Sequence, residues 1–404
     1  SNALKKAVVL KLEQVAFLVE GEHTPAYASC LAEGALLGSY RFERYKKSNE
    51  DSSAVNSIVF LCDRRFHARI EDNIQKVQSI CRSVNRCRDL VNEISTAKTP
   101  ELLARYARNI AASFNNMKCT VYDEKRLKRE GFGGLLTVGA GSVHPPRLIM
   151  LEYRPKVDRS AAHLCLVGKG ITFDTGGLCL KPGKSMWEMK EDMAGAAAVM
   201  HAVEAVAAAN LPVRVTAIMP AAENAIGSRS TLPGYVMKAR NGKTVHIINT
   251  DAEGRLILSD ALWLAAQIKP THVIDIATLT GSCSVALGSS LAGLFGSEPE
   301  FNNTLIKIAG NVGEPCWPLP LHEEYREYLK SEIADLNNIS SLTGAGAITA
   351  ALFLDEFRPA NIPWIHLDIA GTASTEKSWK YFRPGATGWG VRTFVSLAEM
   401  LAMQ

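Results

Sequence analysis

Val245-His246-Ile247-Ile248-Asn249-Thr250-Asp251-Ala252-Glu253-Gly254-Arg255 runs from an apolar tetrapeptide through a polar turn into a segment, Leu256 to Ala266, whose apolar residues recur at helical spacing. A strand therefore ends and a helix begins here, which is where sites tend to lie in open α/β sheets. Asp251 and Glu253 are two residues apart, so extended backbone would place both carboxylates on one face. Two like charges held that close call for a cation.

Working outward, strands and helices alternate on both sides of this turn. Leu164 to Val167, Val213 to Ile218, Val245 to Ile248, Val273 to Ala277 and Trp364 to Ile369 read as buried strands. Gly195 to Ala209, Leu256 to Gln267, Ile348 to Phe357 and Val391 to Ala402 read as helices. That alternation predicts an α/β fold with a central mixed, mainly parallel sheet flanked by helices over residues 131–404. With 404 residues, two domains are expected, and residues 1–130 form the smaller, N-terminal α/β domain. Within it Val8-Val9-Leu10 and Ser57 to Leu61 suit strands and Tyr27 to Tyr45 a helix. Ile74, Val77, Ile80, Val84, Cys87 and Val91 mark a linking helix over about 71–94. Thr99 and Pro100 have the form of an N-cap and first helical residue for a helix ending near Ala112.

Composition narrows the function. Hydrophobic residues make up 47% and charged residues 21%, the balance of a folded globular chain. No apolar run is long enough to span a membrane. Ser1-Asn2-Ala3 reads as a tag-cleavage remnant, and no signal peptide is evident behind it. Nine cysteines without a C-x-x-C pair read as reduced thiols, so a cytoplasmic location is expected. Residues 1–130 hold 22 Lys/Arg against 16 Asp/Glu, whereas the remainder holds 23 against 25. A solvated basic face accounts for this better than a nucleic-acid site, because no compact Lys/Arg block with interleaved aromatics stands out.

The candidate chemistry lies in acids at predicted strand ends. Gly168 to Gly177 is glycine-rich and carries Lys169 and Asp174, with Lys181 shortly after. A phosphate loop is disfavoured, since G-x-x-x-x-G-K-[ST] is absent and Asp174 would repel phosphate. Asp192 precedes an alanine-rich helix, where the macrodipole alone would explain it. Taken together, Asp174, Asp192, Asp251 and Glu253 could converge on one sheet edge, and divalent cations would let them all ionise. No H-E-x-x-H and no G-x-S-x-G is present, so metal-assisted hydrolysis from oxygen ligands fits better than a zincin or a serine triad.

These residues resemble a known family. Asn249-Thr250-Asp251-Ala252-Glu253-Gly254-Arg255, Val167 to Gly177 and Met189 to Gly195 are similar to the leucyl aminopeptidase (cytosol aminopeptidase) family of dinuclear metallo-exopeptidases, and the likeness covers residues 131–404. Ala277 to Gly281, Gly346 to Ala350 and His366 to Thr372 add to it. The resemblance implies two divalent ions per subunit, Mn²⁺ or Zn²⁺ with Mg²⁺ or Co²⁺ as alternatives. Asp174 and Glu253 would bridge them, with Asp251 at the looser site and Lys169 and Asp192 at the tighter one. It implies that Lys181 stabilises an oxyanion and that Arg255 holds bicarbonate as general base. Met189, Thr278, Leu279, Gly281 and Ala370 would bind the substrate, a peptide with an N-terminal leucine or other apolar residue. A homohexamer is implied as well, and DNA binding is the competing expectation for the basic first third.

Overall fold

In the computed structural model, which describes residues 2–47, 55–156 and 162–403, the chain opens with helix α1 (Asn2–Val9), strand β1 (Gln14–Leu18), helix α2 (Thr24–Gly38) and strand β2 (Ser57–Leu61). β1 and β2 pair in parallel, Gln14 opposite Ser57 through Leu18 opposite Leu61, as a two-stranded sheet of their own. Val8 and Val9, expected in a strand, lie in α1 instead. Its buried residues are Leu4 and Ala7, one helical turn apart, and a three-residue apolar run is too short to separate the two periods.

The linking helix is α3 (His67–Asn92), with Cys81, Val84, Cys87, Leu90 and Val91 buried along one stripe. α4 (Pro100–Ala112) starts as its sequence demands: the Thr99 hydroxyl accepts the Leu102 N–H and Pro100 fills the first turn. Then follow β3 (Met117–Tyr122), α5 (Glu124–Glu130), α6 (Gly133–Val138), β4 (Arg147–Tyr153), β5 (His163–Gly168), β6 (Gly170–Asp174), α7 (Gly183–Met186), α8 (Ala194–Ala208) and β7 (Arg214–Asn224). β8 (Val236–Lys238), β9 (Thr244–His246), α9 (Gly254–Gln267), β10 (His272–Ala277), α10 (Gly281–Leu287), β11 (Ala292–Gly296), α11 (Pro299–Asn311) and β12 (Cys316–Pro318) come next. The chain closes with β13 (Leu336–Asn337), α12 (Gly346–Asp355), β14 (Trp364–Asp368), β15 (Ser374–Thr375), β16 (Gly385–Ala386) and α13 (Val391–Leu401).

A nine-stranded sheet in the order β12-β11-β14-β10-β5-β7-β4-β3, with β6 continuing alongside β7, organises the molecule. Its centre, β14-β10-β5-β7, is parallel, whereas β11, β4 and β3 run antiparallel to their inner neighbours. The fold is thus mixed and mainly parallel, and β3, which precedes residue 131, forms one edge of the sheet. The parallel strands are continuous apolar runs because both faces are covered. Side chains of α3, α4, α8 and α13 pack on one face and those of α6, α9 and α12 on the other. Every residue of α8 but its last is buried, so shortening a side chain such as Met200 to alanine would cost about 2–5 kcal/mol.

Val245 to Ile248 is not a strand of this large sheet. Thr244–His246 is β9, the middle of a separate sheet of three strands in the order β13-β9-β8. It folds back on β8 through the turn at Ala239–Gly242 and pairs in parallel with Leu336–Asn337. The local signal for a strand held, but its partners come from 236–238 and 336–337, which no pattern around residue 245 announces.

Candidate metal centre

The parallel strands end on one side of the sheet, and the charged residues collect there. Lys169 lies between β5 and β6; its N–H donates to Ile276 O (3.0 Å) at the end of β10 and its carbonyl accepts from Ala196 N (2.8 Å) in the first turn of α8. Asp174 ends β6. Asp192 stands just ahead of α8, and Glu253 is the residue before α9. Carboxylate oxygens of Asp174, Asp192 and Glu253 lie within 4.8 Å of one another, all three side chains buried. Asp251 and Glu253 are not paired by strand geometry: Asp251 sits in a turn and Glu253 already has helical backbone, φ −81 and ψ −35. Asp251 joins instead through Lys181.

Two lysines thread the carboxylates. Lys169 Nζ lies 2.7 Å from Asp192 Oδ1 and 2.8 Å from Glu253 Oε1, and also donates to Thr278 O (2.9 Å). Lys181 Nζ lies 2.9 Å from Asp174 Oδ2 and 2.6 Å from Asp251 Oδ1. Burial works against a charged Lys169, but Asp192, Glu253 and Asp174 outweigh it and hold its ammonium above the usual lysine range. Lys181 is raised likewise, burial being overcome by Asp174 and Glu253. Burial also raises Asp192 well above the ordinary carboxylate range, and raises Asp174, where Glu253 adds to the effect, and Asp251. Four carboxylates thus share two ammonium groups, two acids to each lysine, which leaves an excess of two negative charges when all are ionised. Asp192 Oδ2 is buried with no hydrogen-bond donor. A compact set of hard oxygen ligands with excess negative charge and an orphaned oxygen fits divalent cations.

The glycine of the N-T-D-A-E-G-R stretch is required by close approach. A Cβ on Gly254 would lie 2.6 Å from Lys169 Cε and 2.8 Å from Nζ, so the lysine passes over bare backbone. Arg255, the next residue, is buried; its Nη1 donates to Asn338 O (2.9 Å), its Nε has no partner, and burial lowers its pKa to about 10.

The remaining expected residues surround this network. The Thr278 hydroxyl donates to Asp192 Oδ1 (2.7 Å). Leu279 N–H and Ala370 N–H both donate to Asp368 Oδ1 at 3.1 Å. Met189 lies in the single turn Trp187–Glu191, its carbonyl accepting from Asp192 N (3.4 Å). Gly281 is exposed in the first turn of α10. A cleft of about 750 Å³, lined by Glu188, Glu191, Ala370, Gly371 and Thr372 among others, opens beside them.

Three residues that hold the site together were assigned no role from the sequence. Asn224 Nδ2 donates to Asp174 Oδ1 (2.7 Å) and to Thr250 O (3.1 Å), bridging the two acidic loops. Asn338 Oδ1 accepts from Ile248 N and Asn249 N, while its Nδ2 donates to Asn249 O. Asp368 fixes the backbone of Leu279, Thr280 and Ala370. The only available signal was for Asp368, inside the His366 to Thr372 stretch.

Comparison with known proteins gives the class as aminopeptidases that depend on metal, since the catalytic domain of the cytosol aminopeptidase family matches residues 85–395. A probable cytosol aminopeptidase of Solibacter usitatus is 44% identical over 388 residues, spanning 96% of this chain and 79% of the relative. One from Geobacter sulfurreducens is 45% identical over 396 residues, spanning 98% and 79%. Among solved structures, the bottromycin maturation enzyme BotP in complex with Mn superposes with a TM-score of 0.90 at 33% identity, covering 99% of this chain and 86% of that one. The chain belongs to the cytosol aminopeptidase family, whose members are metallo-exopeptidases.

Proposed function

We propose that this aminopeptidase works with two divalent ions and releases leucine and other apolar residues from the N-termini of peptides. One observation carries the reading: Asp174, Asp192 and Glu253 place buried oxygens within 4.8 Å of one another, and an Asp192 oxygen lacks a donor. Asp174 and Glu253 are the residues suited to bridge the ions, Asp251 and Asp192 to complete one each. Lys169 would serve as a ligand after giving up its proton. Bound there, Mn²⁺ or Zn²⁺, or Mg²⁺ or Co²⁺ in their stead, would supply positive charge that polarises a carbonyl and lowers the pKa of water.

The chain's own groups do the rest. Lys181, a largely buried ammonium at the edge of the network, would hydrogen-bond the oxyanion of a tetrahedral intermediate. Arg255 has an unpartnered Nε with which to hold bicarbonate, which would supply general-base capacity. Thr278 orients Asp192 and, with Met189 and Ala370, offers small or apolar surface to the first side chain; Leu279 and Gly281 offer backbone to the substrate. The reading includes a cytoplasmic homohexamer. No helix among the described residues is long and apolar enough to cross a membrane.

The test is release of leucine from leucine p-nitroanilide and from leucyl dipeptides, with Mn²⁺ added, after chelation, and in Asp174→Ala. Activity should require added metal and vanish in the variant. Full activity in metal-stripped protein would overturn the two-ion reading. A faster reaction with basic or acidic first residues than with leucine would overturn the apolar preference.

A further inference from the structure

The last three carbonyls of α3 each accept from a lysine. Lys98 Nζ donates to Leu90 O (3.2 Å) and Val91 O (2.6 Å), and Lys190 Nζ to Asn92 O (2.9 Å). Cations are favoured at a helix carboxyl end, but the two lysines differ in origin. Lys98 follows the helix directly. Lys190 arrives from the turn Trp187–Glu191, which contains Met189 and runs into Asp192. None of residues 187–191 is fully buried; the turn rests on β6 and the end of α3, Glu191 bonds the Ser374 side chain, and the Lys190–Asn92 bond adds a charged tie to the helix end.

The side chain of Asn92 holds a different segment. Its Oδ1 accepts the N–H of Ala386 (2.9 Å), and Gly385 comes so close, at φ +111, that a Cβ there would lie 2.6 Å from this oxygen. One turn earlier on the same helix face, Arg88 Nε donates to Thr387 O (2.8 Å). Residues 385–387 in turn back the cleft wall. β16 pairs with β15 at Ser374 and Thr375, and the Thr387 hydroxyl donates to Thr372 O (2.6 Å). Thr372, Ser374 and Ala370 face the cleft that Glu188 and Glu191 also line. On its other side, Asn92 Nδ2 donates to the Tyr40 hydroxyl (3.1 Å), and Arg88 Nη1 to Leu37 O (2.9 Å), so the same face grips the end of α2.

We propose that Asn92 is a positioning residue for the aminopeptidase reaction. Through Lys190 on its carbonyl and Ala386 on its side chain, it sets the gap between the wall that carries Met189 and Asp192 and the wall that carries Ala370. The N-terminal region acts on the reaction through this joint. The inference deepens the proposed function and rests on its assignment of Asp192 and Met189 to the site. Losing a bond from a charged donor should loosen the 187–191 turn and cost roughly tenfold in binding at the cleft.

The experiment compares Lys190→Met, Lys190→Arg and Asn92→Ala in the full chain. It measures KM and kcat on a leucyl dipeptide, Mn²⁺ affinity by equilibrium dialysis, and melting temperature. Lys190→Met should raise KM about tenfold and weaken Mn²⁺ binding, Lys190→Arg should restore both, and Asn92→Ala, which keeps the carbonyl that Lys190 bonds but frees Ala386, should raise KM through the Ala370 wall. If Asn92→Ala does not fold, the lysine pair decides alone, since Lys190 is half-exposed in a turn without buried residues. Unchanged KM and Mn²⁺ affinity in Lys190→Met, or a fall in kcat that only tracks lost folded protein, would overturn the role. Asp192→Ala separates the two readings. If it binds Mn²⁺ like the parent, the site assignment fails; if it loses Mn²⁺ while Lys190→Met is unchanged, only the positioning role fails.

Discussion

Gly254→Ala tests the site most sharply, because it should separate stability from activity. The added methyl would stand 2.6 Å from Lys169 Cε, and ordinary contact begins at 3.4 Å, so the lysine end must retreat by about 0.8 Å. Lys169 is 3% exposed and pinned by ion pairs of 2.7 and 2.8 Å, so that retreat stretches both toward roughly 3.5 Å, the limit of a hydrogen bond. Losing about one charge-assisted bond costs about 1.5–3 kcal/mol, which corresponds to a fall of roughly 10- to 100-fold in kcat/KM. Position 254 opens α9, where alanine is a better helix former than glycine by up to about 1 kcal/mol. The gain offsets part of the lost bond, so stability should fall by only about 0.5–2 kcal/mol while activity falls roughly 10- to 100-fold. The assay is kcat/KM on leucine p-nitroanilide at saturating Mn²⁺, alongside thermal unfolding. A variant within twofold of the parent would refute the claim that Gly254 exists to admit Lys169, and a loss of stability beyond about 2 kcal/mol would refute the local reading.

Asn224→Ala removes the donor shared by Asp174 and Thr250 O, so Mn²⁺ affinity should weaken by about 10- to 100-fold in equilibrium dialysis, the usual effect of losing a partner that orients a metal ligand. Asp260 is buried in α9, accepting from Leu135 N and Arg240 N, and burial lifts its pKa to about 7. The folded state therefore holds a proton that the unfolded chain, titrating near 3.9, gives up. That contribution to stability is present at low pH and is lost as pH rises through about 7. Melting temperature should fall between about pH 4 and 7 through this residue, and Asp260→Asn should flatten that limb of the profile; an unchanged profile would discount the group.

Much of the architecture could be read locally because its signals are local. β5, β10 and β14 are apolar runs bounded by polar turns, α8 is an alanine-rich helix, and Thr99-Pro100 writes its own helix start. Long-range partners were harder. Glycines made 168–177 look like a loop, yet Gly170–Asp174 is a strand, because β7 lies alongside to receive its hydrogen bonds. Lys169, Asp174, Asp192 and Glu253 were found as charges near strand ends, and the structure brings them into contact. Asn224 and Asn338 were not, since each acts by linking backbone segments far away in sequence and carries no charge. The face-sharing argument for Asp251 and Glu253 failed on backbone: a turn and a helix start stand where extended chain was expected.

The parallel pair β1–β2 has a consequence for how the chain can change over time. Each of its strands has only one partner among the described residues, so both outer edges still offer backbone donors and acceptors to a newcomer. The rest of the molecule meets this region through α3, where Arg88 and Asn92 make their bonds, and through the Glu33–Arg392 pair between α2 and α13. Strands could be added to or lost from the small sheet without touching those contacts. It is the natural place for a lineage to lengthen or trim the protein while leaving its hydrolytic half alone.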